Sequence, residues 1–329
     1  MRRRQFLSTG SVALTAGTLA SLPASSLLPS LSADAMQVEA PKSLPVRLCL
    51  NTSTISGQKL SLTDQVKVCA EAGYQGIEPW IRDIRQFVSE GGKLHDLKKQ
   101  IDDAGLKVES AIGFANWIVD DDAQRNAGLE EARRDMEMLR EIGGTRIAAP
   151  PVGAQNAAGP PLDVIAQRYR ALLEIGNKLG VKPQLELWGF SKTLSKLSEL
   201  AYVATGAQHE DACVLPDFYH IYKGGSDFAG LAMIEASRMH VFHINDYPAE
   251  PPRETINDSA RVFPGDGICP LVDTIAMLLH NGFAGAFSLE LFNPEYWKRN
   301  AAAVAKEGYE KSLAVIQKAV DKAAHSRPS

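Results

Sequence analysis

The chain has 329 residues, of which 45% are hydrophobic and 22% charged, with a formal net charge of −4. This length and composition suit one globular domain of the α/β-barrel size. The negative charge argues against a nucleic-acid partner, and no apolar run long enough for a membrane span follows the N-terminus.

The first 35 residues are typical of an export signal. The basic segment over residues 2–7 includes the pair Arg3-Arg4, a weakly apolar stretch covers 12–22, and a small-residue cleavage site lies at 33–35. We therefore expect a twin-arginine signal, export by the twin-arginine (Tat) machinery, and a periplasmic or secreted mature protein that begins near Met36. The alternative is a cytoplasmic protein with a disordered start. Loss of residues 1–35 leaves 32 basic and 38 acidic side chains.

Short apolar runs alternate with longer amphipathic patterns in the remainder of the chain. After a linker over residues 36–45, the predicted strands are 47–51, 76–80, 106–113, 145–149, 181–188, 212–217, 239–245 and 284–291. The predicted helices are 61–73, 91–105, 129–139, 162–180, 193–205, 226–237, 271–281 and 301–323.

This alternation predicts a (β/α)₈ TIM barrel over residues 46–323, followed by a tail over 324–329. The competing architecture is an open doubly wound sheet. That fold would need a glycine-rich phosphate turn after its first strand, and residues 51–58 contain no GxGxxG pattern.

Four strand ends in the second half carry metal-capable side chains, namely Glu186, Asp217, His243 and Glu290. Their separations of 31, 26 and 47 residues each correspond to one strand-plus-helix unit or to a longer unit with an inserted loop. Consecutive units of a barrel would bring them together at the C-terminal rim. Three carboxylates and one imidazole suit one divalent metal ion, Mn²⁺ or Mg²⁺ first, with Zn²⁺ or Co²⁺ as alternatives.

The chain resembles the xylose isomerase-like TIM-barrel superfamily, which includes ketose 3-epimerases, inosose dehydratases and the sugar phosphate isomerase/epimerase proteins. The resemblance covers roughly residues 46–320. The motifs that carry it are Glu186, Asp217-x-x-His220, His243-x-x-Asp246, Glu290 and the second-strand stretch over residues 73–78.

The resemblance implies a role for each of these residues. Glu186, Asp217, His243 and Glu290 match the metal ligands of the family, and His220 matches a histidine that contacts the substrate. Glu186 and Glu290 match the residues that move a proton next to the carbonyl, so the three catalytic candidates are Glu186, Glu290 and His220. Asp246 is expected to orient a ligand or cap a turn behind the metal site.

Two positions depart from the pattern of the ketose epimerases and argue against epimerase activity in particular. Lys192 stands where the ketose epimerases have a further glutamate, and Ala249 stands where they have an arginine. Candidate substrate-binding residues are Glu78, Trp188, Lys192, Arg253 and Arg261. Trp80 and Trp117, like Trp188, are expected either to line a sugar pocket or to pack in the core.

The leading interpretation is a divalent-metal-dependent isomerase or epimerase that acts through an enediolate on a free sugar or keto-sugar. An exported enzyme is expected to meet free sugars, oxidised glycosides or cyclitols rather than sugar phosphates. One alternative is a lyase or dehydratase acting on a keto-sugar, inosose or 3-keto-glycoside at the same site, with Lys192 or His220 protonating the leaving group. A second is a non-catalytic carbohydrate-binding barrel. The sequence leaves the oligomeric state open, with a homo-oligomer as one option.

Overall fold

The computed structural model describes residues 44–325. The export signal predicted over 1–35, nearly all of the linker over 36–45 and the end of the tail lie outside the described residues. Between residues 44 and 325, no helix is long and apolar enough to cross a membrane.

Eight short strands occupy the positions predicted for them, most of them shorter than predicted. They are β1 (Arg47–Asn51), β2 (Gly76–Glu78), β3 (Lys107–Val108), β4 (Arg146–Ala149), β5 (Lys182–Glu186), β6 (Val214–Leu215), β7 (Val241–Ile244) and β8 (Ala286–Leu289). All the pairings between them are parallel.

The strands close into a barrel. Regular pairing gives the orders β3-β2-β1-β8-β7 and β4-β5-β6. Ala111 joins the two sets on one side, because its N–H donates to Arg146 O at 3.2 Å and its carbonyl accepts from Ala148 N at 2.8 Å. Single parallel bridges from Val214 to Met239 and from Asp217 to His243 join them on the other. The predicted (β/α)₈ barrel is therefore confirmed.

Ten α-helices are present in the described part of the chain. They are α1 (Leu62–Ala72), α2 (Ile81–Ser89), α3 (Leu94–Asp103), α4 (Asp122–Glu141), α5 (Leu162–Leu179), α6 (Leu197–Gly206), α7 (Phe218–Lys223), α8 (Leu271–His280), α9 (Pro294–Trp297) and α10 (Ala301–His325). The sequence did not predict the short helices α2, α7 and α9.

The helix predicted over residues 226–237 is wrong. Two short 3₁₀ helices, Phe228–Met233 and Ala236–Arg238, occupy this segment. The helical turn forms earlier, as α7, because Asp217 caps it by accepting from His220 N at 2.8 Å. The Asp227 side chain then starts the first 3₁₀ turn by accepting from Ala229 N at 2.8 Å.

The two-residue period of the strands places polar side chains inside one end of the barrel. Cys49, Leu215, Val241 and Ala286 form a small apolar cluster separate from the main core. Two residues further along the same strands lie Asn51, Asp217, His243 and Ser288, all fully buried. Residues on the opposite strand face, such as Phe242 and Phe287, belong to the main core. The polar layer therefore lies at the C-terminal end of the strands.

Candidate metal and active site

His243 is the centre of the polar layer. Its Nδ1 atom lies 3.2 Å from Glu290 Oε2, 3.6 Å from Asp217 Oδ2 and 3.8 Å from Glu186 Oε1. This nitrogen is buried and has no hydrogen-bond partner within residues 44–325. Ligand atoms of Asp217, His243 and Glu290 lie within 4.8 Å of one another. The structure therefore brings the four predicted metal ligands together around one imidazole nitrogen.

Glu78 fixes the other face of the His243 ring. His243 Nε2 lies 3.0 Å from Glu78 Oε2, which also accepts from Ser288 Oγ at 2.7 Å and Asn51 Nδ2 at 3.0 Å. A carboxylate facing Nε2 holds a proton there, so Nδ1 is the nitrogen that would lose its proton and bind when a metal ion enters. Glu78 is fully buried and does not line the cavity described below. It therefore supports His243 and does not occupy a substrate-binding position.

Two asparagines orient the carboxylates. Asn51 Nδ2 donates to Glu290 Oε1 at 3.0 Å, and Asn245 Nδ2 donates to Asp217 Oδ2 at 3.1 Å. Asn245 Oδ1 in turn accepts from the Tyr219 backbone N–H at 2.9 Å. These contacts limit the rotation of Glu290 and Asp217, so their oxygens are held in place before any ligand binds.

Arg261 is fully buried beside the same carboxylates. Its Nη1 donates to Asp217 Oδ2 at 2.9 Å and to Glu290 Oε2 at 3.0 Å. Its Nη2 lies 3.1 Å from His220 Nε2 and also contacts Asp258. A guanidinium can only donate, so His220 Nε2 must be the acceptor in that contact.

Negative charge dominates the site. Burial acts to lower the pKa of His243, but Glu290 and Glu78 outweigh it and raise that pKa well above its usual value. Burial, with the nearby charges of Glu290 and Asp217, raises the pKa of Glu186 despite the opposing effect of His243. Burial also acts to raise the pKa of Asp217, yet the positive charge of Arg261 holds it well below its usual value. Buried carboxylates thus outnumber the neighbouring cations, and the potential favours an added cation.

These residues fit a divalent metal ion. The unpartnered His243 Nδ1 is a free ligand atom, and three buried carboxylates converge on it. A set of three carboxylates and one imidazole suits hard and borderline divalent ions. The Nε2 contact with Glu78 supplies the outer support that metal-bound histidines usually have.

A cavity of about 380 Å³ opens above this layer. Six residues contribute its polar lining, namely Glu186, His220, Asp258, Ser259, Arg261 and Glu290. The rest of the wall is mainly aromatic and includes Trp188, a predicted substrate-binding residue. This volume is within the range of small-molecule sites.

Several predicted site residues lie elsewhere. Lys192 and Arg253 are exposed, and neither is among the described residues that line the cavity. Arg253 pairs with its neighbour Glu254 at 3.2 Å. Trp117 is buried in the core, where its Nε1 donates to Pro150 O at 2.8 Å. The fold separates these side chains from the site because they lie on loops or packing faces that point away from it.

Asp246 holds a loop and does not orient a metal ligand. Its Oδ1 accepts from the backbone N–H groups of Tyr247 and Cys269 at 2.8 and 2.9 Å. Its Oδ2 accepts from those of Gly265 and Gly267 at 3.0 and 3.1 Å. Of the two roles considered from the sequence, these contacts fit the capping of a turn.

Sequence reasoning missed Asn51, Asn245 and Ser288. The strand positions that identified the metal ligands could also have identified these three residues. Asn245 lies two residues after His243, Ser288 lies two residues before Glu290, and Asn51 ends the first strand. Phe114, Phe190 and Phe292, which also line the cavity, carried no such signal because they lie on loops.

A family model described as xylose isomerase-like TIM barrel matches residues 66–319. The chain belongs to this family. The twin-arginine signal that was predicted with it lies outside the matched residues and stays a prediction.

The curated relatives that the chain resembles in sequence are enzymes. The chain is 24% identical over 276 residues to inosose isomerase of Bacillus velezensis, covering 83% of this chain and 98% of that protein. It is 22% identical over 269 residues to 3-dehydroshikimate dehydratase of Pseudomonas aeruginosa, covering 81% of this chain and 41% of that protein. The prediction of an enzyme of the isomerase, epimerase or dehydratase kind is confirmed at this level.

Solved structures share the fold. The crystal structure of IOLI protein with a binding zinc atom has a TM-score of 0.78 at 22% identity, covering 83% of this chain and 99% of that chain. The structure of L-ribulose 3-epimerase has a TM-score of 0.69 at 18% identity, covering 86% of this chain and 100% of that chain. At these identities the likeness shows the fold alone.

Proposed function

We propose that this protein is a divalent-metal-dependent isomerase or epimerase that moves a proton at the carbon next to the carbonyl of a sugar, keto-sugar or inosose. The observation that carries the proposal is the buried, unpartnered Nδ1 of His243, with Glu186, Asp217 and Glu290 between 3.2 and 3.8 Å from it. The activities of the relatives, inosose isomerase and 3-dehydroshikimate dehydratase, support the same class of substrate.

A divalent ion held by these four residues would stabilise negative charge on the oxygens of a substrate carbonyl and its neighbouring hydroxyl. Glu186 ends strand β5, Glu290 directly follows strand β8, and both line the cavity. They reach a bound substrate from two different strand ends. In the proposed reaction one carboxylate would remove a proton and the other would return it, as an epimerisation or isomerisation requires.

His220 and Arg261 would hold the oxygens of the substrate. Burial lowers the pKa of His220, and Arg261 acts in the same direction against Asp217. A neutral His220 that accepts from Arg261 at Nε2 keeps its proton on Nδ1, which has no partner among the described side chains. That N–H is available as a donor to a substrate oxygen.

Incubation of metal-loaded protein with ketoses, inososes and 3-keto-glycosides in D₂O, followed by NMR, tests the proposal. We expect deuterium at the carbon next to the carbonyl and a product of equal mass. Glu290→Gln, which keeps an oxygen but loses the base, should slow exchange on the order of 10²- to 10⁴-fold. Turnover without deuterium at that carbon would instead indicate a hydride shift between neighbouring carbons. Absence of turnover with every metal and substrate would favour a carbohydrate-binding barrel.

A lyase or dehydratase is the second candidate, and the 3-dehydroshikimate dehydratase relative favours it. The same proton removal would then expel a leaving group from the next carbon. His220 lines the cavity and Lys192 does not, so His220 is the better placed acid for that group. Release of water or an alcohol from the substrate, with a product lighter by that amount, would distinguish this reaction from an isomerisation.

We also propose export by the twin-arginine route, on the pair Arg3-Arg4 and the weakly apolar stretch over residues 12–22. Replacement of Arg3 and Arg4 by lysine should leave the precursor inside the cell. Cell fractionation with an antibody to the barrel measures this, and unchanged export of the double variant would exclude the route.

A further inference from the structure

Five aromatic side chains form a continuous arc around the cavity. From Phe292 through Trp80, Phe114 and Trp188 to Phe190, successive ring centroids lie 6.1, 5.1, 6.2 and 5.3 Å apart. The last pair is stacked, with an interplanar angle of 25°. We refer to these five residues as the aromatic arc. Its members follow four different strands, so the arc is not a by-product of one amphipathic element.

Little of the aromatic arc is available for hydrogen bonding. Three members are phenylalanines, and Trp80 Nε1 already donates to Asn51 Oδ1 at 2.8 Å, so Trp188 Nε1 is the one ring donor of the arc without a partner among the described residues. The nearby Trp297, which also lines the cavity, donates its Nε1 to Ser53 O at 3.1 Å. The aromatic wall therefore presents mainly ring faces and edges, with Trp188 Nε1 as its one free donor in the described part of the chain, while Asp258 and Ser259 add polar groups to the lining beside Arg261.

Packing of the fold does not account for the two exposed members of the arc. Phe114 is 39% exposed and Phe190 is 46% exposed, although both line the cavity. Isolated exposed apolar residues are common on proteins, but adjoining aromatic rings at the mouth of a polar site mark a place where a ligand covers them.

The cavity is thus divided into a charged floor and an apolar upper wall. Glu186, His220, Arg261 and Glu290 can bind the oxygens of a sugar at the floor. A sugar has hydroxyl groups around its whole edge, and a hydroxyl buried against ring faces without a partner is costly. A planar apolar group loses nothing there, and gains from burial and from stacked or edge-to-face contacts.

We propose that the natural substrate is a keto-sugar that carries an aromatic substituent, an aryl glycoside by class, and that Phe114 and Phe190 determine this specificity. The sugar would occupy the charged floor and the aromatic group would lie against the aromatic arc. This inference rests on the proposed function for the chemistry at the floor, whereas the apolar half of the site is independent of it.

Binding of simple glycosides to the purified full chain tests the inference without turnover. The probes are phenyl and methyl glucosides, each as the α and β anomers, measured by isothermal titration calorimetry and by quenching of tryptophan fluorescence. One phenyl glucoside should bind at least tenfold more tightly than its methyl counterpart. Phe114→Ala and Phe190→Ala should each weaken the binding of that phenyl glucoside about 3- to 10-fold and leave the methyl glucoside within twofold.

Tyr202→Ala is the matched control. This aromatic residue on α6 is 52% exposed and does not line the cavity. Its removal should change neither affinity. Circular dichroism and a thermal melt verify that each variant is folded, and unchanged binding of methyl glucoside shows that the floor is intact.

Equal affinity for phenyl and methyl glucosides, or no binding of any phenyl glucoside, would overturn the inference. So would a methyl disaccharide that binds as tightly as the phenyl glucoside, because the arc would then recognise a second sugar ring. Proton exchange on free keto-sugars without a preference for phenyl glucosides would refute the proposed specificity of the aromatic arc and leave the proposed reaction unaffected. A preference for phenyl glucosides without any proton exchange would support the proposed specificity of the aromatic arc and refute the proposed reaction.

Discussion

Arg261 Nη1 lies 2.9 Å from Asp217 Oδ2, the carboxylate oxygen that also faces His243 Nδ1 at 3.6 Å. The same guanidinium nitrogen contacts Glu290 Oε2 at 3.0 Å. One cationic side chain therefore neutralises two of the carboxylates that a metal ion would use. Arg261 and a bound metal ion would each neutralise part of this buried negative charge.

Replacement of Arg261 by Gln should destabilise the metal-free protein by about 3 kcal/mol or more, because it leaves two buried carboxylates without their partner. Addition of Mn²⁺ or Zn²⁺ should restore more stability to the variant than it adds to the wild type. Urea unfolding with and without metal measures both effects. The control is Arg253→Gln, an exposed arginine of the same loop, which should behave as wild type. Equal metal responses of Arg261→Gln and wild type would contradict the shared role.

Replacement of Glu78 by Gln should lower metal affinity about 10- to 100-fold, because Glu78 holds the Nε2 proton of His243 and so frees Nδ1. Competition with a fluorescent chelator gives the affinity. Glu109→Gln is the matched control, since Glu109 is another fully buried glutamate, bonded to Arg47. That variant should lose stability without a specific loss of metal affinity. If the two variants bound metal equally, Glu78 would have no orienting role.

Strand alternation and strand-end position were enough to predict the barrel and to select Glu186, Asp217, His243 and Glu290. These features are local, because each ligand follows a short apolar run and the parallel strands all end at one rim. The role of Glu78 was not predictable in this way. It depends on a contact with His243, 165 residues away, and therefore on where β2 lies in the closed barrel.

The loop after β7 shows why the remainder of the site could not be predicted. Arg253 and Arg261 both lie on it and were equal candidates, because a long polar loop has no periodicity from which to read an inward face. A bridge between Asp246 and Val262, with N–H···O distances of 3.0 and 2.9 Å, returns the chain to the rim and buries Arg261. Lys223 Nζ holds the Arg253 carbonyl at 2.9 Å, but within residues 44–325 the Arg253 side chain pairs only with its neighbour Glu254 and stays exposed.

Replacement of Asp246 by Ala should destabilise the loop over residues 263–269. Four backbone N–H groups would lose a carboxylate acceptor, and each such loss is worth about 1 kcal/mol. Hydrogen exchange should show faster exchange in this loop, and catalysis should weaken because the adjoining segment carries Arg261. The control Glu254→Ala removes an exposed carboxylate from the same loop and should leave exchange unchanged. Unaltered protection from hydrogen exchange in Asp246→Ala would show that Asp246 does not hold this loop.

His240, which precedes β7, should make the protein less stable in mild acid. Burial, together with Arg146 and Lys182, lowers the pKa of His240 from 6.5 to about 4. Above pH 6.5 the residue is neutral in both the folded and unfolded states, so its contribution is fully present. Between pH 6.5 and 4 only the unfolded state takes up the proton, and the free energy of unfolding falls as the pH falls.

His240→Gln removes this titration and should retain about 1 to 2 kcal/mol more of its neutral-pH stability at pH 4.5 than wild type does. The figure is below the full 1.4 kcal/mol per pKa unit because the ring is only partly buried. Urea unfolding at pH 7.0, 5.5 and 4.5 gives the comparison, with the exposed His280→Gln as control. Parallel stability curves for wild type and His240→Gln would show that His240 titrates alike in both states, and that the cations around it do not act on its ring.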